Sequence, residues 1–270
     1  MTARTWKTLC LSALAVVAAV GLTGCGPGEP TTDAEKLARG KEIVQKMSDR
    51  LAAAEVIRVT TTEARDLVRL SGKKEAASGT GEYTVRRPDR FHTTSSGTRQ
   101  IETWYNGKVL TVAGHKDKVF AQAPMPESIN RAIDVLAERY DMALPMGDMF
   151  YAPATKALLS NTTTGGYVGT ENIGDTPCYH LAFKDTGADY ELWIPTQGEP
   201  LPKRFRLVNK ARTGQPVTDI RFDKWDLAPA VTDDMFMPKL PAEYEGIAMV
   251  QRAAAVKKSA SSAEKPDAKP

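Results

Sequence analysis

The sequence predicts a mainly-β α+β fold: one long amphipathic helix, then two runs of short antiparallel strands separated by a helical, methionine-rich insertion. Three observations predict it. Between Asp33 and Leu51 apolar residues recur every three to four positions. From Val56 the period falls to two and is interrupted by short Gly, Pro and Asn-Gly turns. The helical period then returns between Glu127 and Leu159 before alternation resumes. With 270 residues, 41% of them hydrophobic, the chain can bury a sizeable core in one large domain.

The first element is a targeting segment. Residues 1–24 carry Arg4 and Lys7, an apolar run from Leu9 to Val20, and small residues before a cysteine. This is the layout of a secretory signal, and its apolar part is too short for a permanent membrane span. The tetrad Leu22-Thr23-Gly24-Cys25 resembles the lipobox of bacterial lipoproteins. That resemblance implies cleavage before Cys25, lipidation of its thiol and acylation of the new amino group, hence attachment to a membrane by several acyl chains. Two or three chains anchor a protein where one would not. Gly26, not aspartate, follows the cysteine, so the expected location is the cell envelope, facing the periplasm, at the outer rather than the inner membrane.

Arg4 and Lys7 are two of the 36 basic residues, so loss of the signal lowers the formal net charge from +3 to +1. A nearly neutral mature chain excludes nucleic acid as an expected partner. Of the three cysteines, Cys10 leaves with the signal and Cys25 is consumed by lipid, which strands Cys178. An exported chain with one thiol has no disulfide framework, so packing must hold it together.

The boundaries expected are a linker over 25–34, a folded domain over 35–248 and a tail over 249–270. Gly26 to Thr32 is a Gly/Pro linker that at roughly 3.3 Å per extended residue spans only a couple of nanometres. Leu37, Gly40, Val44, Met47 and Leu51 form the helical stripe. Strands follow around Ile57/Val59/Thr61, Tyr83/Val85, Phe91 to Thr93, Ile101/Thr103/Tyr105, Val109 to Ala113 and Val119 to Ala121, with the Gly72 region (LSGKKEAASGTGEY) expected to break the first run. Asn106-Gly107 is the strongest hairpin signal. Short turns make neighbours antiparallel, giving a meander of about six strands.

Glu127 to Arg139 is predicted helical, with Ile129, Ile133, Leu136 and Tyr140 on one side. A sulfur-rich, Pro-broken passage follows through Met142, Leu144, Met146, Met149 and Phe150, then a short helix from Ala154 to Leu159. A second meander runs through Tyr167–Ile173, Pro177–Phe183, Tyr190–Ile194, Lys203–Asn209 and Val217–Trp225. Asp233 to Pro241 reads as an irregular closing segment. The Ala/Lys/Ser/Pro-rich tail from Arg252 lacks apolar periodicity and is expected to be disordered.

Motifs for chemistry are sparse. There is no HExxH, GxSxG or P-loop, and Gly79-Thr80-Gly81 lacks the third glycine and helix of a dinucleotide turn. Cys178 and His180 alternate onto one strand face, where a thiol and an imidazole could form a nucleophilic pair or half a metal site. The plainer expectation is a buried apolar-like cysteine and a hydrogen-bonded histidine. No enzyme activity, cofactor or metal is therefore expected. The Met/aromatic passage is the better lead, because methionine suits surfaces that re-pack around variable partners.

Thr103-Trp104-Tyr105-Asn106-Gly107-Lys108, Val119-Phe120-Ala121-Gln122-Ala123-Pro124, Pro177-Cys178-Tyr179-His180-Leu181-Ala182-Phe183 and Pro200-Leu201-Pro202-Lys203-Arg204 resemble a bacterial family of predicted periplasmic proteins of unknown function (domain of unknown function 2092). That family is placed with the LolA/LolB-like lipoprotein-localisation-factor fold. The resemblance implies a curved antiparallel half-barrel covered by the N-terminal helix and short lid helices. It also implies an apolar concave face able to hold a lipid or other lipophilic ligand. Alternation assigns Ile57, Val59, Tyr83, Val85, Ile101, Leu192, Phe205 and Phe222 to that face, and the insertion would add Met142, Leu144, Met146, Met149 and Phe150. Two functions follow as expectations: a membrane-anchored lipid acceptor, carrier or sensor, or a structural or interaction lipoprotein whose barrel is filled by its own side chains.

Overall fold

The computed structural model describes residues 28–251 apart from 70, 143 and 145. The signal segment, Cys25 and the tail from Arg252 onward lie outside the described residues.

Helix α1 (Asp33–Ala52) begins at a capping box: the Thr32 hydroxyl accepts from the Glu35 N–H, and the Glu35 carboxylate accepts from the Thr32 N–H. Its buried face is Gly40, Ile43, Val44, Met47, Ser48 and Leu51. The first meander follows as β1 (Val56–Val68), β2 (Lys74–Arg86), β3 (Arg90–Gly97), β4 (Ile101–Tyr105), β5 (Val109–Gly114) and β6 (Val119–Pro124). Helices α2 (Ile129–Tyr140), α3 (Gly147–Phe150) and α4 (Ala154–Leu159) lead to β7 (Thr164–Ile173), β8 (Thr176–Lys184), β9 (Ala188–Pro195), β10 (Arg204–Asn209) and β11 (Val217–Asp226).

The two meanders form one curved sheet of twelve strands, because β1 pairs antiparallel with both β2 and β11. The sheet is open, with edges at β7 and at β12 (Glu245–Ile247), which lies parallel to β6. Both helical groups pack on one face. There the apolar core runs from Ile43, Met47 and Leu51 of α1 to Ile57, Val59, Val85, Phe91, Leu181, Leu192, Phe205 and Phe222 of the strands.

One expectation is corrected. The Gly and Ser residues after Gly72 predict a break in the strands, yet residues 74–82 belong to the thirteen-residue strand β2. Small residues are needed there because β3 comes very close: a Cβ on Gly79 would lie 1.9 Å from the Ser96 carbonyl oxygen. The closing segment from Asp233 to Pro241 is a single 3-10 turn (Asp233–Phe236) followed by residues without regular structure, and its Phe236 packs on the face opposite the helices. Phe236 is fully buried there beneath the Arg86 guanidinium, 4.9 Å from its ring centre.

Arg87, just past β2, fastens sheet to roof. It donates to the Phe150 carbonyl at 2.8 Å and to the Leu51 carbonyl at 3.4 Å. Burial lowers its pKa.

Candidate functional site

Strands β1 and β2 outrun the helical roof. Where they do, a cavity of about 700 Å³ opens between the sheet and the C-terminal end of α2. Leu136 from α2, Met142 and Leu144 from the connector after it, and Leu207 from β10 form its apolar side. Tyr83, Ile101, Leu110 and Val112 of β2, β4 and β5 line it from the sheet. Its volume falls in the range of small-molecule sites, roughly 300 to 1,000 Å³.

Alternation explains which side chains reach it. Val59 faces Tyr83, Tyr83 faces Thr93, Thr93 faces Thr103 and Thr103 faces Val112 across successive strands, so these five share one face. A polar cluster stands beside them. Glu63, 4% exposed, accepts hydrogen bonds from the Tyr83 hydroxyl, the Thr61 hydroxyl and Arg65. Gly81 makes room for it, since a Cβ there would lie 2.7 Å from Glu63 Oε1 and 2.5 Å from the Tyr83 ring. Burial first, and the Glu63 carboxylate second, push the Tyr83 pKa up, so its hydroxyl stays protonated and donating. On the rim Asp66 accepts from the Val217 N–H at 3.0 Å and pairs with Lys74 at 3.1 Å. The backbone bond is the main reason its carboxyl is held below the usual range.

Across the rim Arg212, in the β10–β11 turn, donates to both the carbonyl and the carboxylate of Asp141, each at 3.0 Å. Asp141 is the left-handed C-cap of α2. An exposed pair of this kind contributes less than about 1 kcal/mol. Arg212→Ala should therefore leave the urea midpoint nearly unchanged while speeding ligand entry, measured as the time course of adduct formation by native mass spectrometry.

Of the residues assigned to a ligand cavity from the sequence, Tyr83, Ile101, Met142 and Leu144 line this one. Ile57, Val59, Val85, Met146, Met149, Phe150, Leu192, Phe205 and Phe222 lie in the packed core, with Phe150 tilted against Tyr83 at 5.9 Å. One end of the half-barrel is thus filled by its own side chains, and the other is open. Cys25 lies outside the described residues. Sequence reasoning missed Leu110, Val112 and Leu207, although the same alternation marks them. It also missed Glu63, Thr93 and Thr103, whose polar side chains carry no hydrophobic signal for the concave face.

Cys178 and His180 do share a strand face, but it is the one turned away from the cavity: their cross-strand partners are Pro195 and Trp193, while Leu181 faces Leu192 in the core. His180 Nε2 lies 2.8 Å from Glu191 and the ring stacks on Trp193 at 4.5 Å. Cys178 is buried and free, its Sγ donates to the Thr176 carbonyl at 3.4 Å, and burial raises its pKa. A buried thiol with a raised pKa is a poor nucleophile. Cys178→Ser should cost about 1 to 3 kcal/mol in denaturant unfolding, from placing a hydroxyl in the thiol's packed site, and thiol reagents should label the native protein slowly. Among the described residues no group of three or more His, Cys, Asp or Glu side chains is placed to hold a metal ion, and no helix is long and apolar enough to cross a membrane.

An open half-barrel, roofed by helices and carrying a cavity with mixed polar and apolar walls at one end, is the class of protein that this fold and site define. The chain belongs to the family described as Predicted periplasmic protein (DUF2092), matched over residues 40–250. No curated protein matches it in sequence. Among solved structures it is similar to an uncharacterised conserved protein from Thermus thermophilus, at 12% identity over 77% of this chain and 98% of that one, TM-score 0.46. It is also similar to a chain of the Pseudomonas aeruginosa MucA/MucB complex, at 14% identity over 74% of this chain and 61% of that one, TM-score 0.43. A third similarity is to the Mycobacterium tuberculosis lipoprotein LppX, at 13% identity over 71% of this chain and 96% of that one, TM-score 0.41.

Proposed function

We propose that this is a lipid-anchored periplasmic protein that holds a lipophilic ligand in the cavity between β1–β5 and the α2–α3 connector. The observation that carries the proposal is a cavity of about 700 Å³ into which Met142 and Leu144 of the roof and Leu207 of the sheet, all only partly buried, present apolar surface. Apolar surface left facing water forgoes about 25 cal/mol per Å², so a lipophile gains by covering it. Methionine at position 142 adapts to chains of differing shape. The packed end of the half-barrel keeps the scaffold folded whether or not the open end is occupied.

A photoactivatable apolar probe supplied to the mature protein tests the site. Crosslinks are expected in peptides containing Leu136, Met142, Leu144 or Val112. Labelling spread over the outer face and absent from these peptides would overturn the proposal. The anchor is tested separately: Cys25→Ala should abolish incorporation of labelled palmitate and release the protein from acylated membrane fractions. Palmitate incorporation by that variant would overturn lipidation at Cys25.

A further inference from the structure

We propose that the cavity takes a neutral single-chain amphiphile, of the kind represented by a monoacylglycerol, whose polar oxygen accepts hydrogen bonds from Thr93 and Thr103. This rests on the ligand-holding function proposed above and goes on to name the class of ligand. Thr93 and Thr103 are direct cross-strand partners, each 6% exposed, and both line the cavity. Neither hydroxyl makes a hydrogen bond among the described residues. Ser95 donates to the Ile101 carbonyl at 3.2 Å, Thr80 and Ser96 bond each other at 2.7 Å, and Thr98 donates to the Ser78 carbonyl at 3.2 Å, while Thr94, Thr213 and Thr218, which also line the cavity without a partner among the described residues, are more exposed. Two adjacent hydroxyls that face the cavity and have no protein partner are free to donate to a ligand oxygen in place of cavity water.

Size sets the number of chains. At about 30 Å³ per heavy atom, the volume a liquid water takes, a cavity of about 700 Å³ accommodates roughly twenty heavy atoms. That matches one acyl chain with a small head. Charge sets the head. Around the cavity Glu63 is matched by Arg65, Asp66 by Lys74 and Asp141 by Arg212, so the lining offers no buried cation to an anion. Arg99 has no ion pair among the described residues, but it is exposed on the rim, where water and salt screen it. An oxygen held against Thr93 and Thr103 leaves the chain beneath Leu136, Met142 and Leu144.

Native mass spectrometry of the mature protein, offered monopalmitoylglycerol, palmitate and dipalmitoylglycerol in competition, tests this. Monopalmitoylglycerol is expected to give a one-to-one adduct in excess over both others. In the Thr93→Val/Thr103→Val double variant its affinity should fall about tenfold, the loss expected of two ordinary hydrogen bonds. Thr93→Ser/Thr103→Ser should restore it. Preferred binding of palmitate would overturn the neutral head, preferred dipalmitoylglycerol the single chain, and an unaffected double variant the role of the two threonines. Each of these leaves the apolar cavity standing. Absence of photoprobe labelling from the cavity of the unmutated protein would instead remove the function on which the choice of ligand rests.

Discussion

Gly166→Val is expected to destabilise the protein by about 4 kcal/mol, because helix α1 crosses the edge strand β7 backbone to backbone. Gly166 has φ +129°, and a Cβ on it would lie 2.1 Å from the Lys36 carbonyl oxygen and 2.6 Å from the Leu37 Cα. From the other side, a Cβ on Gly40 would lie 2.7 Å from the Gly166 Cα. Neither contact involves the flexible end of a side chain, so the helix itself must move. A β-branched residue at that φ adds about 1 to 3 kcal/mol of backbone strain to about 1 to 3 kcal/mol of overpacking. Displacement of α1 would also loosen Ile43, Val44, Met47 and Leu51, all buried against the sheet. Urea unfolding should show the lowered midpoint. Gly174→Ala, at a β-turn where nothing lies within 4 Å, is the control and should cost only about 1 kcal/mol through its positive φ. Equal losses for the two variants would contradict the close crossing of α1 and β7.

Glu63→Ala should cost about 3 kcal/mol. Its carboxylate is 4% exposed and takes hydrogen bonds from Tyr83, Thr61 and Arg65. Removing it leaves a partly buried guanidinium and a buried phenol without their acceptor, and breaking a buried pair from one side costs about 3 to 5 kcal/mol. The lower end applies because the Arg65 side chain keeps 25% of its surface in water. Tyr83→Phe removes one donor and leaves the charge paired, so its cost should be only about 1 kcal/mol. Equilibrium unfolding of the two variants beside the unmutated protein checks the order. A Glu63→Ala protein as stable as Tyr83→Phe would show that the carboxylate is solvated rather than enclosed.

The legibility of the chain varies with how local the physics is. Helix α1 is readable because Thr32 and Glu35 cap it and its stripe repeats every three to four residues. The β4–β5 hairpin is readable because Asn106-Gly107 supplies both a side-chain acceptor, with Asn106 Oδ1 taking the Lys108 and Val109 N–H groups, and a positive φ of +90° at Gly107. The first half of β2 is not. Gly, Ser and Ala there look like turn residues, and only the approach of Ser96 and the side chains of Glu63 and Tyr83 explains why nothing larger fits. Membership of the core is visible in the alternation of Ile57, Val59 and Val85. Which inward residues pack and which line a cavity depends on where the roof ends over β1 and β2, a tertiary fact that alternation does not encode. Thr93 and Thr103 leave no signal, because threonine suits either face of a strand.

Whether the open end of the half-barrel holds a lipophilic ligand is tested most directly by native mass spectrometry of the mature protein exposed to mixed envelope lipids. The comparison is a Leu207→Trp variant, designed to fill the cavity from β10. A one-to-one lipid adduct is expected on the unmutated protein and should be lost in Leu207→Trp, while the variant unfolds at a similar urea concentration. No adduct on the unmutated protein, or an adduct equally abundant on the correctly folded variant, would contradict a ligand in this cavity.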